Sequence, residues 1–314
     1  MTALLRPPAV PADAVVAVVS PASTPQAERV ESGLQALRLL GYAPQPAEHA
    51  LTRGPLYFAG TPQMRLRDLH HAFADDEVRA IFCSRGGYGA NYLLDGLDLD
   101  LIAESAKPLI GYSDLTALQL WLLDQLQLPA FYGPMLSADF SREDGVHLPS
   151  LQAALSGKTY SVGAAEGLRT LHPGRTRGTL YGGCLSILVA MLGTTYEPQT
   201  EGKLLFLEDV GAKPYQIDRM LWQLREAGKL EGVRGIVFGE MLDCASPGAP
   251  PGLLEEVILR TLEDFKGPIA IGLRSGHVSR ANVTLTLGVE AELRVAEGAQ
   301  LNLLEAAVKT GVRG

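Results

Sequence analysis

Residues 107–126 read KPLIGYSDLTALQLWLLDQL, and their pattern indicates the class of fold. The first five residues, 107–111, are apolar after Lys107 and are typical of a buried strand. A strongly apolar helix is predicted to begin at Leu115 and to end at Leu126, before Pro129 prevents its continuation. Only three residues separate the strand from the helix, so the turn between them is sharp. A buried strand followed at once by a helix is typical of a parallel α/β sheet.

The same alternation extends toward the N-terminus. Residues 14–20 (AVVAVVS) and 78–84 (VRAIFCS) are apolar and rich in β-branched side chains, which predicts two further buried strands. Thr24 and Thr61 are each followed by proline, the pattern of an N-cap and a first helical residue. Strands and helices that alternate in this way imply right-handed crossovers.

Patterning divides the 314 residues into three parts. Residues 1–140 hold the alternating elements and are predicted to form an α/β domain with a parallel sheet. Residues 141–174 are polar and glycine-rich, which indicates a linker or lid. Residues 175–314 mix strands and helices, and the apolar–polar alternation over 282–304 predicts antiparallel strands. The second domain is therefore expected to be mixed α+β and rich in β structure.

The composition excludes several classes of function. Lys and Arg total 27 against 35 Asp and Glu, a net charge of −8, so binding to nucleic acid phosphates is not expected. Cys83, Cys184 and Cys244 are too scattered for a disulfide framework and are predicted to be small buried residues. No histidine spacing matches a metal motif, so we expect neither a catalytic metal nor another cofactor. Without a long apolar run for a signal peptide or membrane helix, we expect a cytoplasmic protein that does not bind membranes.

Ser113 lies in the sharp turn between the strand and the helix. This is the position of a nucleophile elbow, although the Gly-x-Ser-x-Gly pattern is absent. The amides and dipole at the helix N-terminus would stabilise negative charge developing there. The alternative is that Ser113 is simply a helix cap, a role that serine often has.

A glycine-rich segment, SRGGYGAN at residues 84–91, follows the predicted strand 78–84. Glycines at the carboxyl end of a strand allow backbone amides to approach an anion. The spacing matches neither the dinucleotide fingerprint nor the phosphate-binding loop. Because this segment and Ser113 both follow parallel strands, they are expected at the same sheet edge, and an oxyanion-hole role is one hypothesis. A plain tight turn is the alternative.

Two polar sites occur later in the chain. Glu208 and Asp209 end an apolar strand, where a carboxylate can orient a histidine or can instead cap the next turn. His277 lies in the polar loop GHVSRAN, outside any amphipathic pattern. It is either a functional residue or a solvated loop histidine.

Taken together, the segments resemble the LD-carboxypeptidase family, serine peptidases that include muramoyl-tetrapeptide carboxypeptidase and the microcin C immunity peptidases. Seven ordered blocks across nearly the whole chain carry the resemblance. They are VVAVVSPAS (15–23), VRAIFCSRGGYGANYLL (78–94), KPLIGYSDLTAL (107–118), LYGGCLSILVAMLGTTYEP (180–198), LLFLEDVGAKPYQIDRMLWQL (204–224), GIVFGEMLDC (235–244) and SGHVSRANVTLTLG (275–288).

The resemblance implies a Ser113 nucleophile, a His277 base and a Glu208 carboxylate that orients the base. It also implies a flavodoxin-like or Rossmann-like N-terminal domain and a cytoplasmic homodimer. One departure is visible, because Cys184 follows the Gly-Gly pair where the family usually has Asn. This difference concerns substrate specificity rather than the three residues above.

The chemistry implied by the resemblance is acyl transfer, with Asp114 and either Gly86 or Gly87 donating backbone amides to the oxyanion. Arg85 and Tyr88 are the candidate substrate-binding side chains, Arg85 because its planar fork suits a carboxylate.

The implied reaction is hydrolysis of an L,D-peptide bond, releasing terminal D-Ala from a murein tetrapeptide in the cytoplasm. Cleavage of aminoacyl or peptidyl nucleotide conjugates, as by the microcin immunity peptidases, is a close alternative. A catalytically silent protein that binds an anionic ligand through its glycine-rich loop is an alternative of another class.

Overall fold

A computed structural model of the protein describes residues 3–245, 248 and 250–309. Two β-sheets with flanking helices make up the fold. The elements in chain order are β1 (Val15–Val19), α1 (Ala27–Leu39), β2 (Ala43–Pro46), α2 (Pro62–Ala74), β3 (Val78–Cys83), α3 (Leu99–Glu104), β4 (Leu109–Gly111), α4 (Leu115–Leu126), β5 (Ala130–Tyr132), α5 (Leu148–Ser156), β6 (Tyr160–Val162), β7 (Arg169–His172), β8 (Gly174–Cys184), α6 (Leu185–Ala190), β9 (Lys203–Glu208), α7 (Pro214–Glu226), β10 (Gly235–Gly239), α8 (Leu253–Thr261), β11 (Ile269–Leu273), β12 (Leu285–Leu287), β13 (Glu290–Val295) and β14 (Ala299–Leu303).

The first sheet has six strands in the order β12-β5-β4-β3-β1-β2. Strands β1 to β5 run parallel to their neighbours, whereas β12 joins β5 antiparallel at the edge. The central strands β3 and β4 are almost wholly buried, which explains their continuous apolar sequence. The predicted parallel sheet is confirmed, and a strand from near the end of the chain completes it.

The second sheet has eight strands in the order β6-β14-β13-β8-β9-β10-β11-β7. Its centre, β8 to β11, is parallel, and the strands on both flanks are antiparallel. The alternating sequence of β13 and β14 therefore forms antiparallel strands, as predicted. This β-rich part agrees with the fold class expected from the sequence.

The first helix begins later than the sequence indicated. Helix α1 starts at Ala27 with Gln26 as its N-cap, whereas Thr24 was the predicted cap. The Thr24 hydroxyl instead donates to the Phe58 carbonyl oxygen at 2.8 Å, because a distant loop packs against this turn. Thr61 does cap α2, accepting a hydrogen bond from the Met64 amide at 3.2 Å.

The interval 141–174, predicted as a linker or lid, also carries regular structure. It contains helix α5 and the strands β6 and β7. Strand β6 pairs with β14 and β7 pairs with β11, so this interval supplies both edges of the second sheet.

Across residues 3–245, 248 and 250–309, no helix combines the length and apolar character needed to cross a membrane. The same part of the chain contains no group of three or more His, Cys, Asp or Glu side chains placed to share a metal ion. Cys83, Cys184 and Cys244 are free thiols and are buried, as their apolar surroundings in the sequence indicated.

Candidate active site

Ser113 occupies the turn between β4 and α4, and its backbone is in an unusual conformation. Its φ angle is +66°, in the left-handed region that residues other than glycine seldom adopt. The Ser113 N–H donates to Tyr132 Oη at 3.2 Å, and its carbonyl oxygen accepts from Thr116 Oγ1 at 2.6 Å. A conformation of this kind persists only where the surrounding structure enforces it, and such conformations cluster at functional sites. The N-cap position of α4 belongs to Asp114, so the structure does not support the alternative that Ser113 is simply a helix cap.

The glycine-rich loop lies directly against Ser113. A Cβ atom on Gly86 would stand 2.8 Å from Ser113 Cβ and 2.9 Å from its Oγ, so only glycine fits. The Asp114 amide nitrogen is 3.4 Å from the same point. Within the described part of the chain, the amide N–H groups of Gly86, Gly87 and Asp114 have no hydrogen-bond partner. The structure thus brings unused backbone donors close to the serine hydroxyl.

Two buried charged side chains hold this loop in place. The Asp114 carboxylate accepts a hydrogen bond from the Ala90 amide at 2.7 Å. Burial raises the pKa of Asp114 to about 6, although backbone hydrogen bonds and the Arg65 charge oppose the shift. Arg65, only 2% exposed, donates to the carbonyl oxygens of Gly89 at 2.8 Å and Pro21 at 2.6 Å. The loop conformation is therefore set by contacts well outside the loop itself.

Glu208 ends strand β9 and is completely buried. Its carboxylate accepts from Tyr132 Oη at 2.5 Å and from the His277 backbone N–H at 3.0 Å. It also lies 2.9 Å from His277 Nδ1. Because an ionised carboxylate is only an acceptor, Nδ1 carries the proton and Nε2 keeps a free lone pair. This is the tautomer that a general base requires.

His277 lies in a loop whose shape is set by Asn282. The Asn282 side chain donates to the Gly276 carbonyl oxygen at 3.0 Å and accepts from the Gly276 amide at 3.1 Å. The ring of Tyr112, the residue before the serine, meets the imidazole edge to face with a centroid separation of 5.1 Å.

Within the described residues no hydrogen bond joins Ser113 Oγ to the imidazole. Such contacts commonly close only when substrate binds.

The electrostatic surroundings favour a charged His277. Burial is the largest single influence and lowers the pKa of this imidazole, whereas the charge and hydrogen bond of Glu208 raise it. Asp209 and Asp139 add to the effect, and the net result is a raised pKa. An imidazolium formed at this position during a reaction would therefore be stabilised.

The two predicted substrate-binding side chains, Arg85 and Tyr88, belong to the glycine-rich loop. Arg85 is half-buried and donates one hydrogen bond, to the Thr24 carbonyl oxygen at 3.2 Å. Tyr88 is 39% exposed, and its backbone N–H donates to Ser23 Oγ at 3.0 Å. Its hydroxyl donates to Tyr92 Oη at 3.3 Å. Arg85 Nη2 lies 3.6 Å from the point that a Cβ on Gly87 would occupy, so the guanidinium is close to this part of the loop.

Asp209 and Cys184 both lie next to Glu208 in the structure. Asp209 accepts from the Val210 amide in its own turn and from the Ser186 amide near the start of α6, both at 2.8 Å, so it caps that turn and the first turn of a helix 23 residues away. Cys184 is buried and pairs in register with Glu208 across strands β8 and β9. The residue beside the buried Glu208 carboxylate on the neighbouring strand therefore carries a thiol, where the family resemblance led us to expect the side-chain amide of Asn.

Sequence reasoning missed Tyr132 and Thr116, the two hydroxyls that hold the Ser113 backbone. One signal was available for Tyr132. It ends strand β5, in register with Gly111 at the end of β4, and so lies at the carboxyl edge where ligands bind in parallel sheets. Nothing in the local pattern distinguished Thr116 from an ordinary helix residue.

A strained serine at a strand-to-helix turn, free amides beside it and an imidazole held by a buried carboxylate are what a nucleophilic hydrolase needs. Comparison with known proteins narrows this class. A family model described as the LD-carboxypeptidase N-terminal domain matches residues 16–133, and one described as the LD-carboxypeptidase C-terminal domain matches residues 177–293. The chain belongs to the LD-carboxypeptidase family, as the resemblance indicated, and is a serine-type hydrolase.

Individual relatives agree with this assignment. A probable murein peptide carboxypeptidase of Bacillus subtilis is 36% identical over 313 residues, covering 98% of this chain and 96% of that protein. The murein tetrapeptide carboxypeptidase of Pseudomonas aeruginosa is 35% identical over 279 residues, covering 85% and 89%. The crystal structure of an MccF-like protein from Bacillus anthracis gives a TM-score of 0.88 at 27% identity, covering 95% of this chain and 99% of that one.

Proposed function

We propose that this protein is a serine carboxypeptidase that hydrolyses the L,D-peptide bond of a murein tetrapeptide and releases terminal D-Ala. The observation that carries the mechanism is the contact between the buried Glu208 carboxylate and His277 Nδ1, at 2.9 Å. The substrate class is supported by the relatives named as murein peptide and murein tetrapeptide carboxypeptidases.

The reaction begins with proton transfer. His277 Nε2 takes the proton of the Ser113 hydroxyl while Oγ attacks the scissile carbonyl carbon. Glu208 holds the imidazole in the required tautomer and stabilises the imidazolium. His277 then gives its proton to the nitrogen of the departing D-Ala. Water hydrolyses the acyl-enzyme by the same proton transfers and regenerates Ser113.

The oxyanion of the tetrahedral intermediate is assigned to the backbone amides beside Ser113. Gly86 is favoured over Gly87 because Gly86 lies against the serine, whereas a Cβ on Gly87 would point at Ser23 Oγ, 2.5 Å away. The Asp114 amide is the second donor, at the start of α4 where the helix dipole favours negative charge. Loss of one such donor typically costs about 3 kcal/mol of transition-state stabilisation.

Gly86→Ala is therefore expected to lower kcat by about 100-fold or more. Its new methyl group would overlap Ser113 Cβ and push the loop away from the serine. Steady-state D-Ala release measures the loss, and Gly298→Ala is the control, since a Cβ there meets no atom within 4 Å. Unchanged turnover in Gly86→Ala would remove this loop from the oxyanion site.

The pH dependence of the activity is expected to follow the protonation of His277. Only neutral His277 accepts the serine proton, and its pKa is raised above the ordinary value of 6.5. Activity is therefore expected to fall as the pH drops through this raised pKa, so the acid limb of kcat/KM has its midpoint above 6.5. A pH profile of D-Ala release measures the midpoint. A midpoint below 6.5 would contradict the assignment of His277 as the base.

The proposed reaction is tested by incubating the purified protein with L-Ala-γ-D-Glu-meso-diaminopimelyl-D-Ala and assaying free D-Ala. Ser113→Ala, shown to be folded by circular dichroism, is the control for spontaneous release. No D-Ala from a folded wild-type protein would reject the proposal. Saturable tetrapeptide binding without turnover, measured by calorimetry, would favour the non-catalytic binding protein.

A second candidate function has one observation in its favour. Tyr57, Tyr88 and Tyr92 are exposed, and their rings pack around Phe58 beside the glycine-rich loop. An aromatic surface of this kind could stack on the base of a nucleotide conjugate, the substrate class of the microcin immunity peptidases. A competition assay between the murein tetrapeptide and an aminoacyl sulfamoyl adenosine discriminates the two. Preferential cleavage or binding of the conjugate would make this second candidate the primary function.

We also propose that the protein acts in the cytoplasm as a homodimer, as the family resemblance implies. Light scattering coupled to size-exclusion chromatography measures the oligomeric state. A monomer at micromolar concentration would contradict the dimer.

A further inference from the structure

We propose that Tyr132 is a positioning residue that couples the backbone of the nucleophile to the carboxylate behind the base. Tyr132 ends strand β5 in the first sheet and is fully buried. Its hydroxyl contacts both Ser113, at the end of the neighbouring strand, and Glu208, at the end of β9 in the second sheet. A single oxygen atom thus joins two of the three proposed catalytic residues.

The direction of each hydrogen bond made by the Tyr132 hydroxyl follows from which atom carries the proton. The Ser113 N–H can only donate, so Tyr132 Oη accepts it at 3.2 Å. The hydroxyl proton is then free to point at Glu208 Oε1, 2.5 Å away. Burial, with the nearby Glu208 charge, raises the pKa of Tyr132 well above its ordinary value. The hydroxyl therefore stays protonated and keeps donating to the carboxylate.

A second buried hydroxyl completes the arrangement on the other side of the serine. Thr116 Oγ1 donates to the Ser113 carbonyl oxygen at 2.6 Å and accepts from the Cys184 amide at 3.1 Å. Cys184 and Glu208 are register partners at the ends of β8 and β9. The Ser113 N–H is therefore linked to Glu208 through the Tyr132 hydroxyl. The Ser113 carbonyl oxygen is linked to Cys184, the register partner of Glu208, through the Thr116 hydroxyl.

Gly183 makes this close approach possible. Its φ angle is +145°, and a Cβ there would stand 2.8 Å from Thr116 Oγ1 and 2.9 Å from Tyr132 Cε2. A side chain would therefore separate the two hydroxyls from the second sheet. Gly183 therefore serves the serine turn, whereas a Cβ on Gly182 would overlap the Phe206 carbonyl group on the neighbouring strand.

Two consequences follow for catalysis. The hydroxyl bridges hold Ser113 in its left-handed conformation, so that Oγ keeps a fixed direction relative to the base. The hydrogen bond from Tyr132 also offsets part of the negative charge of Glu208, and so weakens the electrostatic attraction between Glu208 and the His277 imidazolium. Loss of the hydroxyl therefore strengthens the Glu208–His277 interaction and raises the pKa of the imidazole further.

The test is Tyr132→Phe, which removes one oxygen atom and keeps the ring. We expect kcat for D-Ala release to fall by about 10- to 100-fold with KM changed by less than about twofold, because geometry rather than binding is lost. The acid limb of the pH profile is expected to move to higher pH. Asp139 and Asp209, the other carboxylates that act on His277, remain in this variant.

Tyr181→Phe is the matched control. Tyr181 is equally buried, donates to the Asp124 carboxylate at 2.7 Å and accepts from the Gln199 amide at 3.2 Å, without contacting Ser113, Glu208 or His277. Similar losses of thermal stability in the two variants, with a shifted pH profile only in Tyr132→Phe, would support the coupling. Equal kinetic losses in both, or a Tyr132→Phe profile that keeps its wild-type midpoint, would overturn it.

Thr116 provides an independent check. Thr116→Ser keeps the hydroxyl and is expected to retain kcat within about twofold, whereas Thr116→Val is expected to lose about 10-fold or more. Equal activity in the two variants would overturn the role of the Thr116 hydroxyl. The inference rests on the proposed function, but different experimental results would contradict each of them. Wild-type protein without turnover overturns both, whereas active wild type with unchanged Tyr132→Phe overturns the coupling alone.

Discussion

Ser113→Ala is expected to lower kcat for D-Ala release by at least about 10⁴-fold, since no other group can form the acyl-enzyme. His277→Ala is expected to have a comparable effect, and the double variant should be little worse than either single one, because the two residues act as a unit. Neither side chain contributes to the apolar core, so the free energy of unfolding should change by less than about 1 kcal/mol in Ser113→Ala. In His277→Ala it should fall by about 1–3 kcal/mol, because the buried Glu208 carboxylate loses a hydrogen-bond donor. Steady-state kinetics and urea denaturation provide the two measurements.

Ser141→Ala is a suitable control for the serine variant. Its hydroxyl makes a local hydrogen bond to the Ser137 carbonyl oxygen at 2.9 Å, one turn away, and should leave kcat unchanged. Residual activity above a hundredth of wild type in Ser113→Ala would show that another nucleophile performs the reaction. Unfolding of the variant would instead show that the serine is needed for stability.

Glu208→Gln is expected to lower kcat by about 10⁴-fold, the size of effect seen when an orienting carboxylate becomes an amide. The wild-type carboxylate accepts from three donors, namely Tyr132 Oη–H, the His277 backbone N–H and His277 Nδ1–H. Glutamine has only one acceptor oxygen, and its NH₂ group would face a donor or select the wrong imidazole tautomer. The free energy of unfolding is expected to fall by about 1–3 kcal/mol, because a buried polar group loses its partner.

Glu208→Gln is also expected to shift the pH dependence of the activity that remains, in a direction that can be predicted. Without the Glu208 charge the pKa of His277 falls, so the acid limb should move to lower pH, opposite to the shift expected for Tyr132→Phe. Asp124→Asn is the control, since Asp124 also accepts a hydrogen bond from a buried tyrosine but lies away from the histidine. An unshifted profile in Glu208→Gln would show that another group sets the pKa of the base.

The sequence predicted the parts of this protein that depend on neighbours along the chain. The three-residue turn after strand β4 placed Ser113 at an elbow, because the apolar run and the apolar helix leave the backbone no other path. The continuous apolar strands predicted the parallel sheet for the same local reason. The prediction failed at Thr24, where the local cap pattern competes with a hydrogen bond to Phe58, a residue 34 positions away.

Which polar groups meet depends on how distant parts of the chain pack in three dimensions. Glu208 and His277 are 69 residues apart and Tyr132 lies 76 residues before Glu208, so no local spacing could pair them. The resemblance to a known family named the serine, glutamate and histidine, but it did not identify the hydroxyls that connect them. Secondary structure follows from short-range sterics and hydrogen bonding, whereas these contacts arise only where the ends of strands from two sheets pack together.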